Sequence, residues 1–178
     1  MFSGQPRVEK VTLTIGKKKY AAVEATMIEQ KEEMDLLRKK LLFLVDQDAC
    51  AFRPLAEAYR MPTETEEDRA KKAEIMEACL QDAAAVPLEI MRSCGEVIRR
   101  MRTFAEQGSR LALSDAGCGA ALAKAALESA ALNVFINTTS MKDRAFADAT
   151  EHEAAALLDQ YRPEADAIYR MVLTDILA

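Results

Sequence analysis

Apolar residues recur every three or four positions along most of this chain, and charged residues fill the positions between them. From Tyr20 this spacing predicts an amphipathic helix of roughly 40 residues, bent near its end by Pro54 and stopped by Pro62. A second long helix is expected to begin at the threonine-rich, acidic segment after Pro62 and to kink at Pro87. Before Tyr20, the alternation in residues 11–15 resembles a strand but is too short to decide.

Two further helices complete the pattern. Ser114 stands at the expected cap of an alanine-rich helix, whose small side chains favour close packing and a central place. A last helix is predicted from about Asp143 to Leu177, broken at Pro163. Long helices joined by short loops predict an all-α fold, an up-and-down bundle of antiparallel helices forming a single domain over residues 1–178. Helices of this length carry more apolar surface than four can cover, which predicts a homodimer.

Composition narrows the classes of function. The net charge of −5 argues against a dedicated nucleic-acid binder, although Lys17, Lys18 and Lys19 could form a local basic site for an anionic ligand. The four cysteines are scattered without a Cys-x-x-Cys pair, which favours free buried thiols over disulfides or metal. No stretch approaches the length of a bilayer span, and the start lacks the apolar region of a signal peptide. We therefore expect no membrane partner and a cytoplasmic location.

Recognisable catalytic and cofactor motifs are scarce. His152 is the only histidine and is more often a surface residue in such a setting, and the sequence contains no HExxH, P-loop or GxGxxG. Neither a metal site nor a nucleotide site is expected. What remains is a set of polar residues on otherwise apolar faces, which must be paired with protein or ligand if they are buried. These candidates are Asp46, Asp48, Asp115, Ser129, Asn133 and Asn137.

Each candidate also has a purely structural interpretation. Asp115 could compensate the dipole of the first helical turn, and the stripe of Ser129, Asn133 and Asn137 could cross-link helices. Asp115 and Asn133 are separated by five helical turns, about 27 Å along one straight helix. If both residues served one site, a second subunit would have to supply one of them.

Short segments of this sequence resemble corresponding stretches of the formiminotetrahydrofolate cyclodeaminase and methenyltetrahydrofolate cyclohydrolase family. The segments are Ile15–Tyr20, Leu44–Phe52, Val86–Leu88, Ser114–Gly117 and Asn133–Asn137, continuing into Met141–Asp143. In order and spacing they cover about three-quarters of the chain. Family members usually start with a Pro-Gly-Gly-Gly-Ser turn and an alanine-rich helix. Met1–Leu13 stand there instead, so we expect the glycine-rich helix to be absent, which bears on substrate binding because such helix starts bind anions.

The resemblance implies a helical homodimer that processes the one-carbon bridge of a tetrahydrofolate substrate without metal, nucleotide or other cofactor. By motif position, Asp115 would match the family's candidate catalytic aspartate and serve as the general acid and base. The lysines at 17–19 would attract the glutamate tail, and Asn133 or Asn137 would orient polar atoms.

Two reactions fit this resemblance, and the residues do not separate them. The first is hydrolysis of 5,10-methenyltetrahydrofolate to 10-formyltetrahydrofolate, which is favoured because the chain carries no formiminotransferase domain. The second is the cyclodeaminase reaction of formiminotetrahydrofolate, which releases ammonia. A third interpretation is a non-catalytic helical dimer or assembly partner that keeps the fold.

Overall fold

Four long helices run through the part of the chain that the structure, a computed structural model, describes, namely residues 13–178. They are α1 (Glu24–Tyr59), α2 (Glu66–Gln107), α3 (Leu113–Thr138) and α4 (Arg144–Leu177), with short 3-10 turns at Lys18–Tyr20 and Arg110–Ala112. The predicted all-α bundle of long antiparallel helices is confirmed. Within residues 13–178 there is no strand, and the first two residues of the strand-like segment, 11 and 12, lie outside the described range.

The α1–α2 connection is closed by local side-chain hydrogen bonds at both helix ends. At the start of α2, Thr65 Oγ1 accepts from the backbone N–H of Asp68 at 3.1 Å, and Asp68 Oδ2 accepts from the N–H of Thr65 at 3.1 Å. At the end of α1, Lys72 Nζ donates to the carbonyls of Tyr59 and Met61 at 2.9 and 3.0 Å. Because helix ends leave backbone groups without helical partners, these bonds satisfy groups that the turn would otherwise expose.

Two predicted helix boundaries are wrong. Ser109 caps the 3-10 turn at Arg110–Ala112, where its side chain accepts the backbone N–H of Leu111, and α3 follows directly from Leu113, ahead of the predicted cap at Ser114. The predicted break at Pro163 is also absent, since α4 continues through that residue. A proline removes a single backbone hydrogen bond, and a long helix held by its neighbours on both sides tolerates that loss.

The described residues form two compact units, each of which receives one segment from every helix. The first unit comprises residues 13–39, 95–124 and 161–178, and the second comprises residues 40–94 and 125–160. In the first unit the helices approach through glycine, with Gly95 under the ring of Tyr161 and Gly117 against Val172. The second unit has a core of small and aliphatic side chains. Its buried members are Leu55, Ala58, Cys79, Leu80, Ala83, Ala84, Met141 and Ala147.

The four cysteines are all free thiols, as predicted, but they are not all buried. Cys79 and Cys94 lie in the interior, whereas Cys50 and Cys118 are exposed. Burial raises the pKa of the Cys94 thiol to about 11, so this sulfur stays protonated and unreactive at neutral pH. The alanine-rich surroundings of Cys118 therefore did not indicate burial, because one face of its helix is open.

Helix α3, which its small side chains predict to pack centrally, nevertheless exposes several large apolar side chains. Leu122, Leu132 and Ile136 on this helix are 71 %, 71 % and 68 % exposed. By length and composition alone, Arg110–Thr138 could cross a membrane, with a hydropathy of 1.3 and 33 % of its most apolar window buried. The expectation that no stretch reaches that length is wrong by this measure. Core helices of soluble proteins meet the same criterion, so the absence of a membrane partner stays a prediction.

Candidate functional site

A cavity of about 270 Å³ opens in the first unit, lined by residues from α1, α2, α3 and the segment before α1. Most of its wall is apolar, with Met34, Met101, Phe104 and Leu122 among the large side chains. A few polar groups interrupt this wall. They are Thr14, Lys31, Ser109 and Asp115. A concave, mainly apolar space with a small number of polar groups is the usual form of a small-molecule site.

Asp115 places a carboxylate in this cavity. It lies in the first turn of α3, where the helix dipole stabilises negative charge. The residue is half-buried, and its Oδ2 atom is shielded from solvent. A carboxylate in such a space can bind a cationic or N–H-bearing ligand and exchange a proton with it. The structure thus brings the predicted catalytic residue to a cavity, a setting that the sequence did not reveal.

Lys31, which is not among the residues predicted from the sequence, brings a positive charge to the same lining. Its Nζ atom donates to Oδ2 of Asp35, one turn further along α1, at 3.2 Å. The side chain is 33 % exposed. One signal was available, because Lys31 is four residues after Met27, which is fully buried, and three before Met34, which lines the cavity. That spacing places Lys31 on the inward stripe of α1.

The segment before α1 is tied to the α2–α3 connection at the edge of the cavity. The backbone N–H of Ser109 donates to Oγ1 of Thr14 at 2.9 Å, and both residues are almost fully buried. The side chain of Ser109 also forms a hydrogen bond with Tyr20, which, aided by the nearby charge of Lys19, lowers the pKa of the Tyr20 phenol below its ordinary value. These contacts hold the lysine-bearing segment against the first unit.

The three lysines of that segment lie in the same unit as Asp115 but are not among the residues that line its cavity. Lys17, Lys18 and Lys19 are exposed, and the chain turns at Gly16 with a positive φ of 77°. The backbone N–H of Gly16 donates to Oε1 of Glu24 at 2.8 Å. Because φ values in this region favour glycine, Gly16 sets the course of the basic segment. A role for the lysines toward a ligand stays a prediction.

The two predicted asparagines lie in the second unit and differ in their surroundings. Asn133 is exposed, and its Nδ2 donates to the carbonyl of Ser129 at 3.1 Å within α3. Asn137 is half-buried, and its Nδ2 donates to the carbonyl of Ala83 on α2 at 3.0 Å. The helix cross-link that the sequence left open as an alternative therefore exists for Asn137.

The remaining candidates also lie in the second unit. On α1, Asp46 is exposed and Asp48 is half-buried. His152 is exposed, as expected, and its Nδ1 lies 2.7 Å from the carbonyl oxygen of Asp148. Among residues 13–178 no three His, Cys, Asp or Glu side chains converge on a possible metal position.

The sequence family can now be assigned. The family described as formiminotransferase-cyclodeaminase matches residues 10–156. This chain belongs to that family. The resemblance seen in the short segments is confirmed, and the matched range contains the lysine segment, Lys31, Asp115 and both asparagines.

Individual relatives of the family carry two different activities in their names. The chain is 38 % identical to the methenyltetrahydrofolate cyclohydrolase of Methylorubrum extorquens over 92 % of its own length and 79 % of that protein. It is 29 % identical to the mouse formimidoyltransferase-cyclodeaminase over 86 % of this chain, but it spans only 28 % of that longer protein. Among solved structures, formiminotetrahydrofolate cyclodeaminase from Thermotoga maritima superimposes with a TM-score of 0.78 at 26 % identity, covering 96 % of this chain and 81 % of that one.

Proposed function

We propose that this protein acts in folate one-carbon metabolism as a methenyltetrahydrofolate cyclohydrolase. One observation carries the choice of reaction: the relative that bears this name is 38 % identical and is covered over 79 % of its length. The cavity in the first unit supplies a place for the chemistry. It combines a mostly apolar wall, suited to an aromatic ring system, with the carboxylate of Asp115.

In this mechanism, water adds to the electron-poor carbon that bridges the pterin nitrogen and the arm nitrogen of the substrate. The methenyl bridge is cationic, so the carboxylate of Asp115 attracts it before reaction. Asp115 then accepts a proton from the attacking water and returns a proton to the pterin nitrogen as its bond to the bridge carbon breaks. The product is 10-formyltetrahydrofolate, and one proton is released overall. A carboxylate placed for these transfers accelerates them by roughly 100- to 10,000-fold.

The positive groups of the first unit complement the other end of the substrate. The glutamate tail of a folate is anionic, and Lys31 lines the cavity while the lysines at 17–19 lie exposed in the same unit. Lys31 is held by Asp35, so little side-chain freedom is lost when it meets a carboxylate. Asn133 is exposed in the second unit, five helical turns from Asp115, so the asparagine that orients polar atoms of a ligand bound at Asp115 is that of a second copy of the chain.

The cyclodeaminase reaction is the second candidate, favoured by the names of the mouse relative and of the Thermotoga maritima structure. In that reaction the arm nitrogen attacks the formimino carbon, and ammonia leaves to give the bridged methenyl compound. The leaving amine needs a proton, which the same carboxylate could supply. Both reactions pass through a tetrahedral carbon, so a single arrangement of groups serves either one.

We also propose that the protein works as a homodimer. In the second unit, α1 exposes Leu42, Val45 and Phe52 on one stripe, to 60 %, 64 % and 58 %. On α3, Leu132 and Ile136 form a second exposed apolar stripe in the same unit. Exposed apolar faces of this kind are typical of protein interfaces. A second copy of the chain is the proposed occupant.

The two activities can be tested on one purified preparation. With 5,10-methenyltetrahydrofolate, a cyclohydrolase accelerates the loss of near-ultraviolet absorbance above the spontaneous rate. With 5-formiminotetrahydrofolate, a cyclodeaminase releases ammonia and produces that absorbance. Protein that does neither would support the non-catalytic interpretation. Retention of turnover after dialysis against EDTA would agree with the prediction that no metal is needed, and its loss would contradict that prediction.

A further inference from the structure

Pro87 leaves a gap in the backbone hydrogen bonding of α2. Proline has no N–H, so it cannot donate to the carbonyl four residues earlier, which belongs to Ala83. Ala83 is only 6 % exposed and belongs to the core of the second unit. A buried carbonyl without a partner is costly, because folding has removed the water that would otherwise satisfy it.

The side chain of Asn137 fills that gap. Its Nδ2 donates to the carbonyl of Ala83 at 3.0 Å and to the carbonyl of Asn133 at 2.9 Å. A side-chain amide has two N–H donors, and both are engaged here. The amide of Asn137 therefore replaces the hydrogen bond that Pro87 removes from α2. At the same time it forms a hydrogen bond with the backbone of α3 one turn before its own position.

We infer that Asn137 is a positioning residue that fixes Asn133 and does not itself bind substrate. Asn133 lies one turn earlier, is exposed to solvent, and has its backbone carbonyl held by Asn137. The amide of Asn133 is occupied only by a local bond to Ser129, which rotation of the side chain can exchange for a ligand. The pairing of Pro87 with Asn137 thus ties α3 to α2 next to Asn133 and fixes the backbone position of that residue. The functional part of this inference rests on the proposed folate activity.

The first test concerns the link between Asn137 and Pro87, and it needs no substrate. Asn137→Ala should lower the melting temperature by about 3 to 8 °C, because the carbonyl of Ala83 loses its donor. In a Pro87→Ala background, residue 87 regains an N–H for that carbonyl, so the same change should cost less than half as much. Asn133→Ala is the matched control, since its effect should not depend on residue 87. Equal losses from Asn137→Ala in both backgrounds would overturn the inference.

The second test separates positioning from direct contact by measuring kcat and KM with methenyltetrahydrofolate. Asn137→Ala should reduce kcat by about 10-fold in the wild type and by less than about 2-fold when Asn133 is already alanine. Pro87→Ala should restore most of the lost kcat of Asn137→Ala. A further large loss in the Asn133→Ala background would show that Asn137 touches substrate. Unchanged kcat in Asn137→Ala would leave it a structural residue only. Either result would overturn the inference.

An inactive wild type is a separate outcome. It would contradict the proposed function and, with it, the role of Asn133 toward a folate. The melting-temperature experiment would still decide whether Asn137 replaces the bond missing at Pro87, so the two failures are distinguishable.

Discussion

The two compact units are built from segments of the same four helices, yet they differ in what lies between the helices within each unit. In the first unit, Met34, Met101 and Phe104 surround a cavity of about 270 Å³. In the second, alanines, leucines and Met141 pack into a core, and polar side chains tie the backbones together. Glu77 is an example, since its carboxylate accepts the backbone N–H groups of Lys142 and Asp143 at 2.8 and 3.0 Å.

The second unit also has a recess, lined by Phe135, Asp148, Glu151, His152 and Ala155. Three of these five side chains are ionisable, whereas the wall of the cavity in the first unit is mostly apolar, which is the form typical of a small-molecule site. The first unit therefore has the features of a binding site. The second has those of a scaffold whose outer apolar stripes are available to a partner.

The largest effect on activity is expected from changing Asp115, the carboxylate that lines the cavity of the first unit. Asp115→Asn keeps the shape of the side chain but removes the proton acceptor, so kcat should fall by at least about 100-fold with little change in melting temperature. Asp46→Asn and Asp48→Asn, in the second unit, are the matched variants. If Asp115 only compensates the helix dipole, stability should drop by about 0.3 to 1 kcal/mol while turnover stays near wild type. In that case the aspartates of the second unit become the catalytic candidates.

The outer apolar stripe of the second unit should control assembly. Leu132→Asp places a charge on this stripe and should weaken self-association by about 100-fold. Sedimentation velocity over a range of micromolar concentrations measures this. Leu177→Asp, at the exposed end of α4, is the control and should leave association unchanged. A wild-type protein that sediments only as a ~20 kDa species would contradict the proposed dimer, since obligate interfaces survive such dilution.

Glycine substitutions should distinguish the packed part of the first unit from the part next to the cavity. A Cβ at position 95 would lie 2.3 Å from the ring of Tyr161, so Gly95→Ala should destabilise by about 1 to 3 kcal/mol despite the better helix propensity of alanine. At position 119 the nearest atom is the sulfur of Met101, a flexible side chain beside the cavity, so Gly119→Ala should cost less. Thermal unfolding compares the two, and an equal or reversed order would contradict the packing difference.

The smallest effect concerns an ion-pair network in the second unit. Burial acts to raise the pKa of Glu89, but hydrogen bonds from Lys40 and Arg92 outweigh it and lower that pKa below its ordinary value of 4.5. Because the pKa is lower in the folded state than in the unfolded state, the network stabilises the fold above about pH 4.5 and is lost as the pH falls further. Glu89→Gln should thus cost less than about 1 kcal/mol at pH 7 and flatten the acid dependence of stability.

The control for this change is Glu67→Gln, an exposed glutamate in the first turn of α2. Chemical denaturation between pH 3 and pH 7 measures both variants. A Glu89→Gln protein whose stability declines with acid as steeply as that of the wild type would show that the network contributes nothing measurable.

Much of the fold was predictable because it depends on local rules. The three- and four-residue spacing of apolar positions predicted four helices, and the threonine and acidic residues after Pro62 predicted the start of α2 at its capping box. The start of α3 and the continuity of α4 through Pro163 were not predicted. The 3-10 turn capped by Ser109 leads directly into α3 and moves its start ahead of Ser114, and packing supports α4 although that helix lacks one backbone bond at Pro163.

The candidate site, too, has features that the sequence predicts and features that depend on the tertiary structure. The sequence by itself determined the family, and it marked Asp115 and Asn137 as polar residues on apolar faces, because those properties depend on residue type and spacing along one chain. Only the tertiary structure decided that Asp115 and Lys31 line one cavity and that Asn137 satisfies the carbonyl left by Pro87. Lys31 is 84 residues from Asp115, and Asn137 is 54 residues from Ala83. Which side chains meet over such separations depends on how the helices pack, and that is a property of the folded chain as a whole.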